Sequence, residues 1–412
     1  TDNAHRVAAL APASEAELVE LVREAAARGQ PLFCEGNGSK RHHGPAVREG
    51  ARRVTTRRLA GITAHDPADM VVSVLSGTRL ADLQTALARH GQWLPIDPPY
   101  PNATIGGILA TASVGPRRLG YGTLKDALLG VRVVGATGEV TKSGGRVVKN
   151  VSGFDLHRLQ VGAFGTLGLL LEAHFKVSNR PAARAALVVG CASLAEATSR
   201  LLEVAASPLR PVALEALDAG AVEGLRGLSG LDGALPASAA TVIGIEGSEE
   251  ALARHLRDLA PLRAGGVVLE GADADALWVA FRDAPVRATD AITVRVGARP
   301  HALPEVLARI DLAGLGVLAC SSHVGTGVAR LRLAGGELAA RGERLIAALA
   351  ACHASAHDLG GGYAVVEAAP LGVAGREALP FSVSTGPARA LARKLKDAWD
   401  PNALLNPGRL QP

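Results

Sequence analysis

Residues 102–115 read Asn102-Ala103-Thr104-Ile105-Gly106-Gly107-Ile108-Leu109-Ala110-Thr111-Ala112-Ser113-Val114-Gly115, and ahead of them residues 35–40 read Glu35-Gly36-Asn37-Gly38-Ser39-Lys40. Both stretches are rich in residues that let the backbone come close to a ligand, and a dinucleotide pyrophosphate needs backbone N–H groups at short range. Either loop alone signals only a turn. Two in one domain, in this order and spacing, point to a dinucleotide site. Neither is the G-x-G-x-x-G of a nicotinamide fold nor the G-x-x-x-x-G-K-[ST] of a phosphate loop, so those cofactor classes lose ground.

Outward from the loops, the patterning is ordered. Ser14 with Glu17 forms a capping box before Leu18, Leu21, Val22 and Ala25, which share one helix face, and Gly29 supplies the stop. A short strand, Pro31 to Phe33, enters the first loop. A second strand, Met70 to Leu75, leads through Ser76-Gly77 and Thr78, read as an N-cap, into a helix carrying Leu80, Leu83 and Leu87. From Pro95 to Gly122 both periods vanish, as in a functional loop. Strands return at Ala127 to Val134, Glu139 to Lys142 and Leu167 to Val177. The Asn179-Arg180-Pro181 step reads as a boundary. Beyond it, strands near 186–190, 211–217, 240–246, 266–270 and 291–297 alternate with capped helices near 193–206, 248–260 and 272–283. The expected organisation is α+β: a first domain over 1–178, a second over 179–385, and a helix with tail over 386–412 folding back on the first.

The chain has 412 residues, 48% of them apolar and 20% charged, enough for two buried cores. Its net charge of +5 is the excess of 44 Lys and Arg over 39 Asp and Glu, the basic residues are spread along the chain, and with only 3% aromatic residues and no RNA-binding signature nucleic acid is not an expected partner. Cys34, Cys191, Cys320 and Cys352 stand far apart without a C-x-x-C, which excludes an iron–sulfur motif and leaves reduced thiols. No apolar run is long enough to span a membrane, and the amphipathic start does not read as a secretory signal. A cytoplasmic protein is expected, with membrane association at most peripheral, through partners.

Taken together, Gly38-Ser39-Lys40 with Gly44, Ala103-Thr104-Ile105-Gly106-Gly107, Gly115-Pro116-Arg117-Arg118-Leu119-Gly120-Tyr121-Gly122 running to Asp126, Gly144-Gly145-Arg146-Val147-Val148-Lys149-Asn150-Val151-Ser152-Gly153-Phe154-Asp155-Leu156, Gly165-Thr166-Leu167-Gly168 and Asn406-Pro407-Gly408 resemble a known family. It is the FAD-binding domain of the vanillyl-alcohol oxidase and p-cresol methylhydroxylase type, and within it the small FAD-binding subunits of glycolate dehydrogenase (glycolate oxidase). The resemblance implies a two-subdomain FAD-binding domain with an α+β C-terminal cap. It implies that the first loop (Gly36, Asn37, Gly38, Ser39, Lys40, Gly44) and the second (Ala103, Thr104, Gly106, Gly107, Ala110, Ser113, Gly115) cradle the pyrophosphate and ribityl chain. Gly165 and Leu170 would bound the adenine end, and Pro98, Tyr121, Gly122, Asp126 and Asn406 join the cofactor contacts. Some relatives carry a flavin-linking histidine near the position of Ser39, so FAD is expected to be noncovalent here. Glu35 and Asn37 depart from the family pattern, and an acidic side chain beside a pyrophosphate weakens attraction unless it points away.

The larger catalytic relatives carry a pattern like H-A-G-D-G-N-L-H followed later by G-E-H-G. The matching stretches here are His323-Val324-Gly325-Thr326-Gly327-Val328-Ala329-Arg330 and Gly361-Gly362-Tyr363-Ala364-Val365-Val366-Glu367-Ala368, with Arg330 in place of the second histidine, so no metal is expected. Oxidising a 2-hydroxy acid needs a base and a cation for the carboxylate, roles open to His323 and Arg330. Their odd spacing puts them on opposite faces of one strand unless a bulge intervenes. Three readings follow. One is a subunit working with a larger FAD-binding catalytic subunit and an iron–sulfur subunit on a small 2-hydroxy acid. The second is a self-sufficient FAD-dependent hydroxy-acid or alcohol oxidase, and the third a structural subunit that has lost its flavin.

Overall fold

Ser14 caps the first helix, Glu15–Ala27, its Oγ accepting the Glu17 N–H at 3.2 Å. The Glu17 carboxylate reaches back to the Ala13 N–H at 2.8 Å, so two otherwise orphaned donors are satisfied. The face carrying Leu18, Val22 and Ala25 is buried against Leu32, Val54, Val134 and Leu169. In the computed structural model, residues 9–147, 154–231, 235, 238–284, 291–310, 314–335, 338–359, 361–371, 376–381 and 386–410 are described. The segment 148–153, part of the motif that runs from Gly144 to Leu156, lies outside them.

The chain forms two units. The first comprises residues 1–114, 122–180 and 384–412. Its strands are β1 (Leu32–Glu35), β2 (Arg52–Thr55), β3 (Ile62–Asp66), β4 (Val71–Leu75), β5 (Gln92–Trp93), β6 (Leu128–Val134), β7 (Val140–Gly144), β8 (Leu169–Lys176) and β9 (Ser178–Asn179). β1 and β2 pair in parallel, and β3-β4-β8-β6-β7 form an antiparallel sheet. The tail returns to this unit. Leu32 N–H donates to Leu404 O at 2.7 Å, Asn406 N–H to Leu32 O at 2.8 Å, and Leu404 and Leu405 are buried in the same core as the first helix.

Three local readings are corrected. The helix expected with a cap near 272–283 spans Gly271–Asp283, but its N-cap residue, Glu270, makes no side-chain cap bond. Thr78 does not cap the helix Leu80–Ala88; its hydroxyl accepts the Gly61 N–H at 2.8 Å instead, and Arg79 is the N-cap residue without a side-chain cap bond. The stretch read as loop contains a six-residue helix, Ile105–Ala110, capped by Thr104, whose Oγ1 accepts the Gly107 N–H at 3.3 Å. Two glycines at its start hide it from propensity, since each is unfavourable in a helix. Packing explains Gly106: a Cβ there would sit 2.9 Å from Ser76 Cβ and 3.0 Å from Ser76 O.

The second unit comprises residues 115–121 and 181–383. It holds β10 (Ala183–Cys191), β11 (Ala213–Asp218), β12 (Ala239–Gly247), β13 (Val267–Glu270), β14 (Ala291–Gly297), β15 (Val317–His323), β16 (Val328–Ala334) and β17 (Tyr363–Ala368), in one sheet of order β13-β10-β12-β11-β15-β16-β14-β17. Alternation along β10 sends Ala185, Leu187 and Val189 to one core and Ala186 and Val188 to another. Ile292, Val294 and Val296 of β14 pack in a third core with Leu303 and Leu349. The segment 115–121, read from the sequence as part of the first domain, packs here: Gly120 N–H donates to Val212 O at 3.1 Å, and Arg117 and Tyr121 both bond the Glu246 carboxylate, at 2.9 and 2.6 Å. Among the described residues no helix is long and apolar enough to cross a membrane.

Gly106→Ala forces either the short helix or the Ser76 turn to move, and thermal unfolding is expected to show a loss of about 1–3 kcal/mol, the usual cost of overpacking. An unchanged melting temperature would mean the two segments separate freely.

Candidate functional site

In the first unit, a cleft opens where β1 runs into the loop 36–41 and meets the N-terminal end of the helix Ile105–Ala110. The two glycine-rich stretches face one another across it. A Cβ at Gly36 would lie 1.9 Å from Thr104 Oγ1, so only glycine permits this approach. Asn37 Nδ2 donates to Asn102 O at 2.7 Å and ties the first loop to the second. Gly38, Ser39, Lys40, Gly107 and Ala110 complete the walls expected from the sequence, and Asn406 of the tail joins them.

The acidic Glu35 does not face the cleft as a bare charge. Its carboxylate accepts from Arg41 Nε at 2.6 Å and Nη2 at 2.5 Å, and Arg53 Nε lies 3.1 Å away. The guanidinium of Arg41 stays charged, its pKa raised by the hydrogen bond to Glu35. With Lys40, Arg41 and Arg409 lining the cleft and Arg53 behind Glu35, the balance is cationic. Burial pushes the Cys34 thiol up to about 12, so it brings no negative charge. Glycine walls and net positive charge fit an FAD pyrophosphate. The fit removes the reason for a flavin-free reading that Glu35 had given. Arg41 and Thr111, within the two expected loops though not singled out there, also line the cleft; sequence reasoning passed over Phe164 and Arg409, which reach it from segments whose convergence is tertiary.

Other expected cofactor residues lie outside the cleft lining. Gly44 is buried under the Phe164 ring; Pro98, Ala103 and Gly106 are buried; Ser113 donates its N–H to Ile108 O at 3.1 Å. Gly122 adjoins the Asp126 carboxylate, which accepts from Thr123 N at 2.7 Å in a capping box. Gly165 abuts Asn406, and Leu170 is a buried residue of β8 opposite Val133. Gly115 and Tyr121 belong to the second unit.

In that unit, His323 and Arg330 share one side of the sheet. The parity objection assumed one strand, whereas the chain turns at Val324–Thr326 and pairs β15 with β16 as a hairpin, His323 opposite Val328 and Ser321 opposite Arg330. Diagonal neighbours on antiparallel strands share a face. Glu215 of β11 lies directly opposite His323, and its Oε1 is 2.6 Å from His323 Nδ1. Arg330 Nη1 is 2.5 Å from His323 Nε2. Arginine has only donors, so Nε2 accepts and Nδ1 carries the proton given to Glu215. A register shift between β14 and β17 places Glu367 between two guanidiniums, with Arg330 Nε at 2.8 Å and Arg295 Nη1 at 3.5 Å. Burial, then the cations of Arg330 and Arg118, hold the His323 pKa well below the usual imidazole value. For Arg330, burial opposes the charge, but Glu367, Glu215 and Tyr363 together outweigh it and raise the pKa. Among the described residues no three His, Cys, Asp or Glu side chains converge as metal ligands.

Comparison with known proteins agrees with the cleft. Residues 7–144 match the family described as FAD binding domain, and residues 180–410 match FAD linked oxidases, C-terminal domain. The chain is 39% identical to the glycolate oxidase subunit GlcE of Escherichia coli (strain K12) over 194 residues, 47% of this chain and 55% of that protein. It is 30% identical over 212 residues to the glycolate oxidase subunit GlcD of Bacillus subtilis (strain 168), 51% of this chain and 45% of the relative. A D-lactate dehydrogenase of Archaeoglobus fulgidus is 30% identical over 212 residues, 52% and 47% of the two chains. The chain thus spans about half the length of these curated relatives. In fold it is similar to alkyldihydroxyacetonephosphate synthase, with a TM-score of 0.67 at 18% identity over 96% of this chain and 75% of that one.

Two outcomes are expected. Lys40→Met weakens FAD binding about tenfold at low salt, the scale of one charge-assisted phosphate contact, with a smaller loss at high salt; flavin fluorescence titration reads both. His323 has a folded pKa below its unfolded one, so protonation favours the unfolded chain and stability is lost as pH falls from about 7 through the unfolded value. The slope from this one group is at most about 1.4 kcal/mol per pH unit. Urea unfolding between about pH 7 and 5 is expected to be less pH-dependent in His323→Gln by that group's share, and equal slopes would contradict a neutral buried imidazole.

Proposed function

Because the chain belongs to the FAD-linked oxidase family, we propose that it is the FAD-binding subunit of a glycolate-type 2-hydroxy-acid dehydrogenase, working with a larger FAD-binding catalytic subunit and an iron–sulfur subunit. The FAD is noncovalent, held by the loops Gly36–Lys40 and Thr104–Ala110 with Asn406. When bound, it supplies a two-electron acceptor. Lys40 and Arg41 offset pyrophosphate charge, and the glycine walls expose backbone donors to it. The four cysteines are free thiols far apart in sequence, with no iron–sulfur motif among them, so onward transfer of single electrons falls to a partner.

One observation carries the subunit reading: both ring nitrogens of His323 are occupied, Nδ1 by Glu215 and Nε2 by Arg330. A general base needs a lone pair within reach of the substrate hydroxyl, and here Arg330 takes it. The same guanidinium is committed to Glu367, which leaves it poorly placed to receive a substrate carboxylate. A self-sufficient dehydrogenase is the second reading, favoured by the hairpin that brings His323 and Arg330 onto one face. It requires the guanidinium to leave Nε2 for the carboxylate.

The purified chain is expected to show an oxidised flavin spectrum, to release its flavin on acid precipitation, and to remain oxidised when glycolate or D-lactate is added without oxygen. Bleaching is expected only after its partners are added. Rapid bleaching by the chain alone would replace the subunit reading with the self-sufficient one.

A further inference from the structure

Three segments far apart in sequence meet at the wall of the cofactor cleft, all within the first unit: the loop from Cys34 to Pro45, the turn at Phe164, and the tail from Asn406 to Arg409. Asn406 is 3% exposed and takes a left-handed backbone, φ +44°. That conformation is tolerable for asparagine. Its Oδ1 accepts the Cys34 N–H at 2.7 Å, and its Nδ2 donates to Cys34 O at 3.1 Å and Phe164 O at 2.6 Å. One amide therefore clamps the entry of the cofactor loop and holds Phe164 in its own left-handed conformation, φ +52°.

Arg409 clamps the exit. It is 5% exposed, and its Nη1 donates to Arg41 O at 3.1 Å and Pro45 O at 2.7 Å. Its guanidinium lies over the Phe164 ring, 4.9 Å from the centroid, and that ring fills the space beside Gly44. The two loop carbonyls are thereby directed to the tail. Arg48 N–H also donates to Pro407 O at 2.8 Å.

We propose that Arg409 and Asn406 are positioning residues for the FAD loop, and that docking of the C-terminal tail and binding of FAD are thermodynamically coupled. A loop of glycines has many conformations, and the two side chains remove most of them before the cofactor arrives. Coupling is reciprocal, so FAD that selects the ordered loop also holds the tail down. The inference rests on FAD binding and is independent of the substrate and partners.

The test uses the full chain. Arg409→Met keeps an unbranched apolar side chain but removes the donors, and it is expected to raise the FAD dissociation constant at least about tenfold with an unchanged circular dichroism spectrum. The exposed Lys394→Met should leave it unchanged. Hydrogen exchange supplies the readout that a purely structural role would not move. In the unsubstituted chain, added FAD slows exchange at the Leu32, Arg48 and Asn406 amides, which bond between loop and tail, and in Arg409→Met that slowing is largely lost. FAD affinity unaltered in Arg409→Met, or tail exchange indifferent to FAD in the unsubstituted chain, overturns the coupling. If Arg409→Met does not fold, the exchange experiment on the unsubstituted chain decides. A chain that takes up no FAD at all overturns both this inference and the family's cofactor, and its absorption spectrum reveals that before any variant is made.

Discussion

A loop that offers its N–H groups to a phosphate cannot also spend them on a helix or a sheet. Residues 36–41 must be ordered from outside, by groups that bond the carbonyls and flanking residues and leave the cleft side open. The tail meets that constraint. Leu404 and Asn406 extend β1 by backbone bonds, Asn406 brackets Cys34, and Arg409 bonds Arg41 O and Pro45 O. Lys396 and Asp400 secure the tail in turn, the carboxylate accepting the Leu404 and Leu405 N–H groups at 2.8 Å while Lys396 Nζ donates to Thr166 O at 2.7 Å.

Charge is handled differently in the two units. Around the cleft, one carboxylate is matched by Arg41 and Arg53, and Lys40 and Arg409 add further positive charge to the lining. On the sheet face of the second unit, Glu215, His323, Arg330, Glu367 and Arg295 form a row in which each group already bonds a neighbour. Removing one member would leave a charge buried without its partner, which is why such rows are structurally stiff.

Much of the fold was legible because it rests on local rules. The capping box at Ser14 and the capped helices read near 193–206 and 248–260 are in the structure, the latter two capped by Ser193 and Ser248, and the strands read near 186–190, 240–246 and 291–297 are β10, β12 and β14. Glycine loops revealed the cofactor class, since close backbone approach to an anion is a local requirement. Legibility failed where a tertiary contact overrode propensity. The helix Ile105–Ala110 tolerates Gly106 because Ser76 leaves no room for a Cβ, and Thr78 serves Gly61 instead of the helix start.

The sequence by itself determined the α+β class and the positions of most elements, because these depend on neighbours within a few residues, and the pairing of two glycine-rich loops marked the dinucleotide character of the first unit. Only the tertiary structure decided which charges meet. Glu35 is harmless because Arg53 and Arg41 converge on it. His323 and Arg330 are partners because a hairpin, not a single strand, separates them. Arg409 belongs to a loop more than 360 residues away, as the separations of its bonds record. Side-chain electrostatics act through space, and a reading along the chain has no measure of that distance.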